Sequence, residues 1–337
     1  MEDQKQKVKH PEGTDYVFGP VPSRRLGRSL GIDLVPLKTC TYNCIYCQLG
    51  ATTNQTLERK PYIAVESVIQ QLKKKLATLS TPPDYITLSG SGEPTLNSEI
   101  GWVIDEVNKL TSIPVAVLTN GSLLHLEPVR EALMAADLVI PSLDAANPPL
   151  FRFINRPHHS LRFSQVLQGL REFRREYPGQ IWLEIMLCGG FNDVRQEIKR
   201  LQEEIKRISP DRIQLNTVVR PPAEEFACPL SQERLEEISG IFAGRAEVLA
   251  PECHASGSRV YGQIDREVLS LLERRPCSLE DLSRAFGVSA EVMGICLKQL
   301  REKGLAEYEI YNHTVFYKAG KDAEKNLSMV RLKNADL

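Results

Sequence analysis

The chemistry-bearing residues of this chain crowd into one short segment, Cys40-Thr-Tyr-Asn-Cys44-Ile-Tyr-Cys47. Three cysteines separated by three and then two residues can give thiolates to three irons of a [4Fe-4S] cluster and leave the fourth iron without a protein ligand. A structural zinc site would normally close with four ligands, and no fourth Cys or His stands at local spacing; Cys253 and His254 could only be recruited from afar. The open iron is the functional expectation, because it can take a small molecule. Further polar turns follow apolar runs at Ser89-Gly-Ser-Gly-Glu-Pro94, Thr119-Asn-Gly121 and Ser142-Leu-Asp144. The first of them is no phosphate-binding P-loop, since no Gly-Lys-Ser/Thr follows. Its glycines allow backbone carbonyls close to a ligand, and Glu93 adds an acceptor for an ammonium group.

The elements that must position these turns are legible from period. Between Gly31 and about Ala250, β-branched runs at 31–35, 85–89, 114–119, 138–143, 181–187 and 213–219 predict six strands. Helical segments are predicted at 65–79, 100–110, 128–135, 163–176 and 194–208; the first puts Val65, Val68, Ile69, Leu72 and Leu76 on one face. Strands joined by crossover helices run parallel, and apolar character on both faces suits a sheet covered by helices. An open or closed α/β barrel and a doubly wound sheet both satisfy this pattern. In either, the loops at the carboxyl ends of the strands carry the chemistry. The cysteine segment and the three polar turns fall at four successive strand ends.

With that register, the chain resembles the radical SAM superfamily, whose signature is CxxxCxxC with an aromatic, here Tyr46, before the last cysteine. The resemblance covers about residues 15 to 250 and implies a partial (β/α)6 TIM-type barrel. It implies that Cys40, Cys44 and Cys47 ligate a [4Fe-4S] cluster, with S-adenosyl-L-methionine (SAM) chelating the open iron. Residues 89–94 resemble the family's GGEP segment, with Ser91 in place of the first glycine of the pair. Tyr46, Gly90, Gly92, Glu93, Asn120, Ser142 and Asp144 are the implied SAM-binding set. The implied reaction is reductive cleavage of SAM to a 5'-deoxyadenosyl radical, which abstracts hydrogen from a substrate carbon. A flavodoxin or ferredoxin is the implied reductant. Gly19-Pro-Val-Pro-Ser-Arg-Arg-Leu-Gly-Arg-Ser-Leu-Gly31 and Leu215 to Pro222 look like the branch related to wyosine-type tRNA-modifying enzymes. Arg24, Arg25, Arg28 and Arg220 are accordingly expected to face an anionic substrate, a tRNA base or a peptide or protein.

Beyond Tyr261 the rhythm changes. Helices at 264–273, 278–286 and 289–303, two begun by serine caps, precede a two-stranded ribbon turning near Asn312, which together predict a winged-helix domain over 262–318. The domain expectation is a tail (1–14), a core barrel (15–255), this module, and a loose tail (319–337). Residues 262–318 hold eight Lys and Arg against nine Asp and Glu, so no basic footprint for duplex DNA is expected. An iron-sulfur or zinc sensor with a DNA-binding winged helix is the non-catalytic alternative.

Composition limits the rest. The 337 residues carry 42 Lys and Arg against 43 Asp and Glu, with 42% hydrophobic and 25% charged residues, which excludes a disordered or polybasic protein. No apolar run approaches the roughly 18 residues a membrane span needs, and a cytoplasmic location is expected. The eight cysteines read as thiols or metal ligands, not disulfides. Cys188, Cys228 and Cys253 lack paired spacing and predict no second cluster, Cys277 and Cys296 read as core, and His158-His159 as loop surface.

Overall fold

Alternation of β-branched runs with amphipathic helices builds one mixed sheet with helices against it. The structure is a computed structural model that describes residues 15–242, 245–249 and 264–320. The expected tails up to residue 14 and from 321 on, with Cys253 and His254, lie outside the described residues. The chain begins with β1 (Val17–Ser23) and β2 (Gly27–Ile32), then a short parallel pair, β3 (Thr39–Cys40) and β4 (Asn54–Gln55). α1 (Val65–Thr78), β5 (Tyr85–Leu88), α2 (Ile100–Leu110), β6 (Val115–Thr119), α3 (Glu127–Ala132) and β7 (Leu138–Pro141) follow. Next come α4 (Pro148–Ile154), α5 (Phe163–Glu176), β8 (Gln180–Leu187), α6 (Arg195–Ile208), β9 (Arg212–Thr217), α7 (Gln232–Ile241) and β10 (Ala246–Val248). The sheet has eight strands in the order β1-β2-β5-β6-β7-β8-β9-β10. Every neighbouring pair in it is parallel except β1 with β2.

The helical faces are those the period predicted. α1 buries Val65, Val68, Ile69 and Leu72, α2 buries Ile100, Val103, Ile104 and Val107, and α6 buries Ile198, Leu201, Ile205 and Ile208. These stripes, spaced i, i+3, i+4, i+7 in α1 and α2, pack against apolar residues of the sheet in one large core cluster. Each such fully buried Leu or Ile contributes about 1.5–3 kcal/mol.

Three sequence expectations need correction. The first parallel strand spans Gly27–Ile32, not 31–35: the register Ser29↔Tyr85 to Ile32↔Leu88 ends it there, and Asp33, Leu34 and Val35 leave the sheet while staying buried. Burial, not strand pairing, accounts for the apolar run. Second, residues 17–23 form an antiparallel edge strand with an irregularity between Phe18 and Val21. Pro20 and Pro22 lack an N–H, which an edge position tolerates. Third, α4, α7 and β10 add to the predicted elements, and α3 ends earlier, at Ala132.

The C-terminal segment runs α8 (Ile264–Leu272), β11 (Cys277–Ser278), α9 (Leu279–Phe286), α10 (Ala290–Glu302), β12 (Ala306–Tyr311) and β13 (Thr314–Ala319), its strands ordered β11-β13-β12. The Ser278 hydroxyl accepts from Asp281 N at 3.1 Å, and that of Ser289 accepts from Val292 N at 3.3 Å, so both serines cap helices as predicted. Asn312 and His313 have φ of 45° and 61°, the left-handed pair that a tight hairpin needs. Cys277 and Cys296 lie in the small core, which also takes in Val21 of β1.

Phe173, fully buried on α5 and stacked on Tyr177 at 4.6 Å, tests the packing. Phe173→Ala is expected to lower unfolding free energy by about 3–5 kcal/mol, read as a shifted denaturant midpoint at unchanged slope. A loss under about 1 kcal/mol would place the core elsewhere.

Candidate active site

The cysteine segment is held by the residues between its cysteines. Tyr42 is buried edge-on to Phe151 at 5.5 Å, and Ile45 is fully buried with its N–H donating to Ile154 O at 2.9 Å. Asn43 Oδ1 accepts from Thr52 N at 2.8 Å, and Thr52 Oγ1 donates to Tyr42 O at 2.7 Å, folding the segment back on itself. Anchored this way, Cys40, Cys44 and Cys47 all line one cavity of about 400 Å³. Asn120 Nδ2 donates to Cys40 Sγ at 3.5 Å, and Asn155 Nδ2 to Cys44 Sγ at 3.6 Å. Burial and the charge of Glu93 push the Cys40 thiol up to about 12, and burial with Asp144 raises Cys44 well above its ordinary value. Burial raises Cys47 as well. Such sulfurs ionise only when a cation joins them, and amide donors aimed at sulfur are what metal thiolates accept. The donor set therefore fits a thiolate-bound iron-sulfur cluster.

The glycine-rich turn after β5 lies against the cysteine segment. Lys38 N donates to Ser91 O at 2.7 Å, and Glu93 N to Thr39 O at 3.1 Å. A Cβ on Gly92 would stand 1.9 Å from Thr39 O. Gly90 has φ +133°, and its Cβ would meet Asp33 Oδ1 at 2.1 Å. Both glycines are required by the packing of one protein loop on another, whereas the sequence argument rested on approach to a ligand. Glu93 is likewise committed within the protein. Its Oε1 accepts from Thr95 N (3.1 Å), Thr95 Oγ1 (2.6 Å) and Thr119 Oγ1 (2.6 Å), and its Oε2 from Asn120 N (2.7 Å). Burial raises its pKa against these bonds. Oε2, with one donor, keeps acceptor capacity on a residue that lines the cavity.

The structure brings Tyr46, Gly90, Gly92, Glu93, Asn120 and Ser142 to the same cavity as the cysteines. Asp144 is not among the lining residues. It is 2% exposed behind Tyr46, accepting from the Tyr46 hydroxyl, from Asn155 Nδ2 at 2.6 Å and from Met186 N at 2.9 Å. Burial pushes its carboxyl up to about 6 despite those bonds. It braces the cofactor-facing tyrosine and does not face a ligand itself.

The arginines expected to meet a substrate divide. Arg24, Arg25 and Arg220 line the cavity, but Arg28 does not. Arg25 is engaged by Glu184 through two 2.7 Å bonds, and Asn216 Nδ2 donates to the same carboxylate at 2.7 Å. Burial would raise the Glu184 pKa, but the Arg25 charge and bonds hold it below the ordinary range. Arg220 donates through Nε to Pro276 O at 3.1 Å and pairs with Asp281 at 3.6 Å, so it serves the seam with the C-terminal segment.

Sequence reasoning missed Glu184, Met186, Arg274 and Arg275, which line the cavity, and Asn155, which bonds Cys44. One acid inside the apolar run of β8 was the available signal for Glu184; nothing local marked Asn155. Cys188 is fully buried and Cys228 exposed, their loops joined by a 2.9 Å bond from Gly189 N to Cys228 O. His158 and His159 stack on each other at 4.2 Å, away from this cavity.

A family model described as the Radical SAM superfamily matches residues 34–205. A UPF0026 protein of Methanocaldococcus jannaschii is 32% identical over 317 residues, covering 92% of this chain and 98% of its own length. A Brachyspira hyodysenteriae protein named GTPase Obg is 39% identical over 314 residues, 92% of this chain, but this chain spans only 46% of that protein. Among solved structures, a radical SAM methyltransferase from Sphaerobacter thermophilus aligns with a TM-score of 0.53 at 18% identity over 65% of each chain, a likeness of fold.

Arg25→Met would leave Glu184 charged and buried without its partner. It is expected to lower stability by about 3–5 kcal/mol at neutral pH. The deficit should shrink as pH falls through the ordinary glutamate range, because the stranded carboxyl protonates early while the paired one, held low, loses its contribution only at more acid pH. Denaturation curves at several pH values check this; a deficit independent of pH would show that the pair is not the cause.

Proposed function

The chain belongs to the radical SAM superfamily, and on that premise we propose that it cleaves SAM reductively and directs the resulting radical at a substrate bearing a phosphate or carboxylate. Proteins of this superfamily are enzymes that use a [4Fe-4S] cluster and SAM, and the parallel sheet matches their TIM-type partial barrel. When bound, these cofactors supply an electron and a 5'-deoxyadenosyl radical able to abstract hydrogen. The observation that carries the reading is the convergence of three half-buried cysteines, the glycine-rich turn and Asn120 on one cavity. Cys40, Cys44 and Cys47 would hold the cluster, with Asn120 and Asn155 donating to sulfur and so tuning its charge. Glu93 Oε2, Ser142 and the backbone of residues 89–92 would hold SAM.

The cavity as a whole has a net positive lining, Arg24, Arg25, Lys38, Arg220, Arg274 and Arg275 against Glu93 and Glu184, and it stays positive when Asp281 and Asp33, the partners of Arg220 and Arg274, are counted. That balance supports an anionic substrate, and the resemblance to wyosine-type enzymes makes an RNA base the first candidate. A second reading, a peptide or protein, is favoured by exposed Ile295, Tyr308, Ile310 and Val315 on the C-terminal segment, which we read as a winged helix from its helix and strand order. A flavodoxin or ferredoxin as electron donor and a cytoplasmic location complete the proposal; no helix among the described residues is long and apolar enough to cross a membrane.

Anaerobic reconstitution is expected to give a brown iron-sulfur protein that, once reduced, converts SAM to 5'-deoxyadenosine and methionine. Cys40→Ser, Cys44→Ser and Cys47→Ser should each lose both cluster and product. Product at background in the fully reconstituted wild type would reject the proposal. Deuterium carried into 5'-deoxyadenosine from labelled RNA or from labelled peptide would separate the two substrate readings.

A further inference from the structure

The C-terminal segment does more than follow the barrel. Its α8 is followed directly by Glu273-Arg274-Arg275, and Leu271, Arg274 and Arg275 form part of the cavity wall. Arg274 is 8% exposed. Its Nε donates to Asp33 Oδ2, its Nη2 to Asp15 O, and its Nη1 to Ser270 O at 2.6 Å. The guanidinium also lies over the Phe18 ring at 4.5 Å. Asp33, 5% exposed just past β2, turns its other oxygen to the glycine-rich turn: Oδ1 accepts from Ser91 N at 2.5 Å. Ser91 in turn holds Lys38 N through its carbonyl, two residues before Cys40. One buried carboxylate thus joins an arginine of the C-terminal segment to the turn that would hold SAM.

We propose that Arg274 is a positioning residue for SAM binding, and that docking of the C-terminal segment and binding of SAM are coupled through Asp33 and Ser91. The reason is electrostatic and steric together. A buried carboxylate without its cation is strongly unfavourable, so removing Arg274 drives Asp33 to turn toward water or toward another donor. Either change withdraws or weakens its acceptance from Ser91 N. Gly90 adopts φ +133° with its backbone packed against that same carboxylate, so a shift of Asp33 disturbs the turn at its nearest contact as well as at Ser91 N. Coupling of this kind is reciprocal: if the arginine favours SAM binding, SAM must favour the docked segment by the same factor. Lys75 pairs with Glu267 at 2.5 Å on the same seam without touching Asp33 or the turn, and supplies a control.

The inference rests on the radical SAM reading, and its test keeps the two apart. Amide hydrogen exchange on the reconstituted wild-type protein, with and without SAM, is expected to show slower exchange at 89–94 and also at 264–275. Arg274→Met should weaken SAM affinity, measured by equilibrium dialysis, by about tenfold at unchanged iron content. Adding Asp33→Asn to Arg274→Met should cost no further affinity beyond the worse single change, since the two act as one link. Lys75→Met should leave affinity at the wild-type value. SAM binding that protects 89–94 but leaves 264–275 unchanged would overturn the inference while sparing the radical SAM reading. So would an equal loss of affinity in Lys75→Met and Arg274→Met, or additive losses in the double variant. Failure of the wild type to bind SAM at all would overturn both. The exchange comparison needs no substitution, so it decides the matter even if Arg274→Met does not fold.

Discussion

Three half-buried sulfurs, set where a negative charge is unfavourable, govern the organisation of this molecule. Burial raises Cys40, Cys44 and Cys47 above the ordinary thiol range, so each becomes a thiolate only in the company of a cation. The protein holds them ready through the residues between them: Tyr42 and Ile45 are sunk in the core and Asn43 is bonded across the loop. Asn120 and Asn155, from the ends of two different βα units, direct amide hydrogens at two of the sulfurs. The binding place is consequently a joint product of separate loops that must be stacked in register.

That stacking is achieved by using likely-looking ligand groups as mortar. Glu93 accepts four hydrogen bonds, two from Thr95 in its own turn and two that join the turn to Thr119 and Asn120, and Gly92 permits contact with Thr39 O that no Cβ would allow. Asp144 supports Tyr46 from behind and never reaches the cavity surface. Residue types that look like ligand contacts in a motif here carry the cost of shaping the loops, leaving backbone and a few remaining acceptors to meet the cofactor. A pre-organised chamber suits radical chemistry, which must exclude water and stray hydrogen donors while the radical exists.

The seam with the C-terminal segment extends the same logic. Arg220, Arg274 and Lys75 with Glu267 all cross it, and the first two are nearly inaccessible. Buried ion pairs of this sort contribute specificity of docking more than stability, because desolvation offsets much of their attraction. The segment's three helices and hairpin therefore sit on the barrel in one orientation, with the end of α8 in the cavity wall.

The alternation of strands and helices along the chain, the face of α1, the serine caps and the cysteine trio were legible in the residues, because period, capping chemistry and ligand spacing are local properties. The edge strand 17–23 was not, since its two prolines and one glycine leave no clear alternation, and its place depends on pairing with β2. Nor could spacing tell that Arg25 answers Glu184, 159 positions away, or that Arg274 answers Asp33, 241 away. Which charged side chains face a ligand and which neutralise one another is decided by desolvation in the folded interior, where partners are chosen by proximity across the whole chain. Sequence alone determined what could bind iron and where strand ends would gather; tertiary packing alone decided which of the gathered groups remained available.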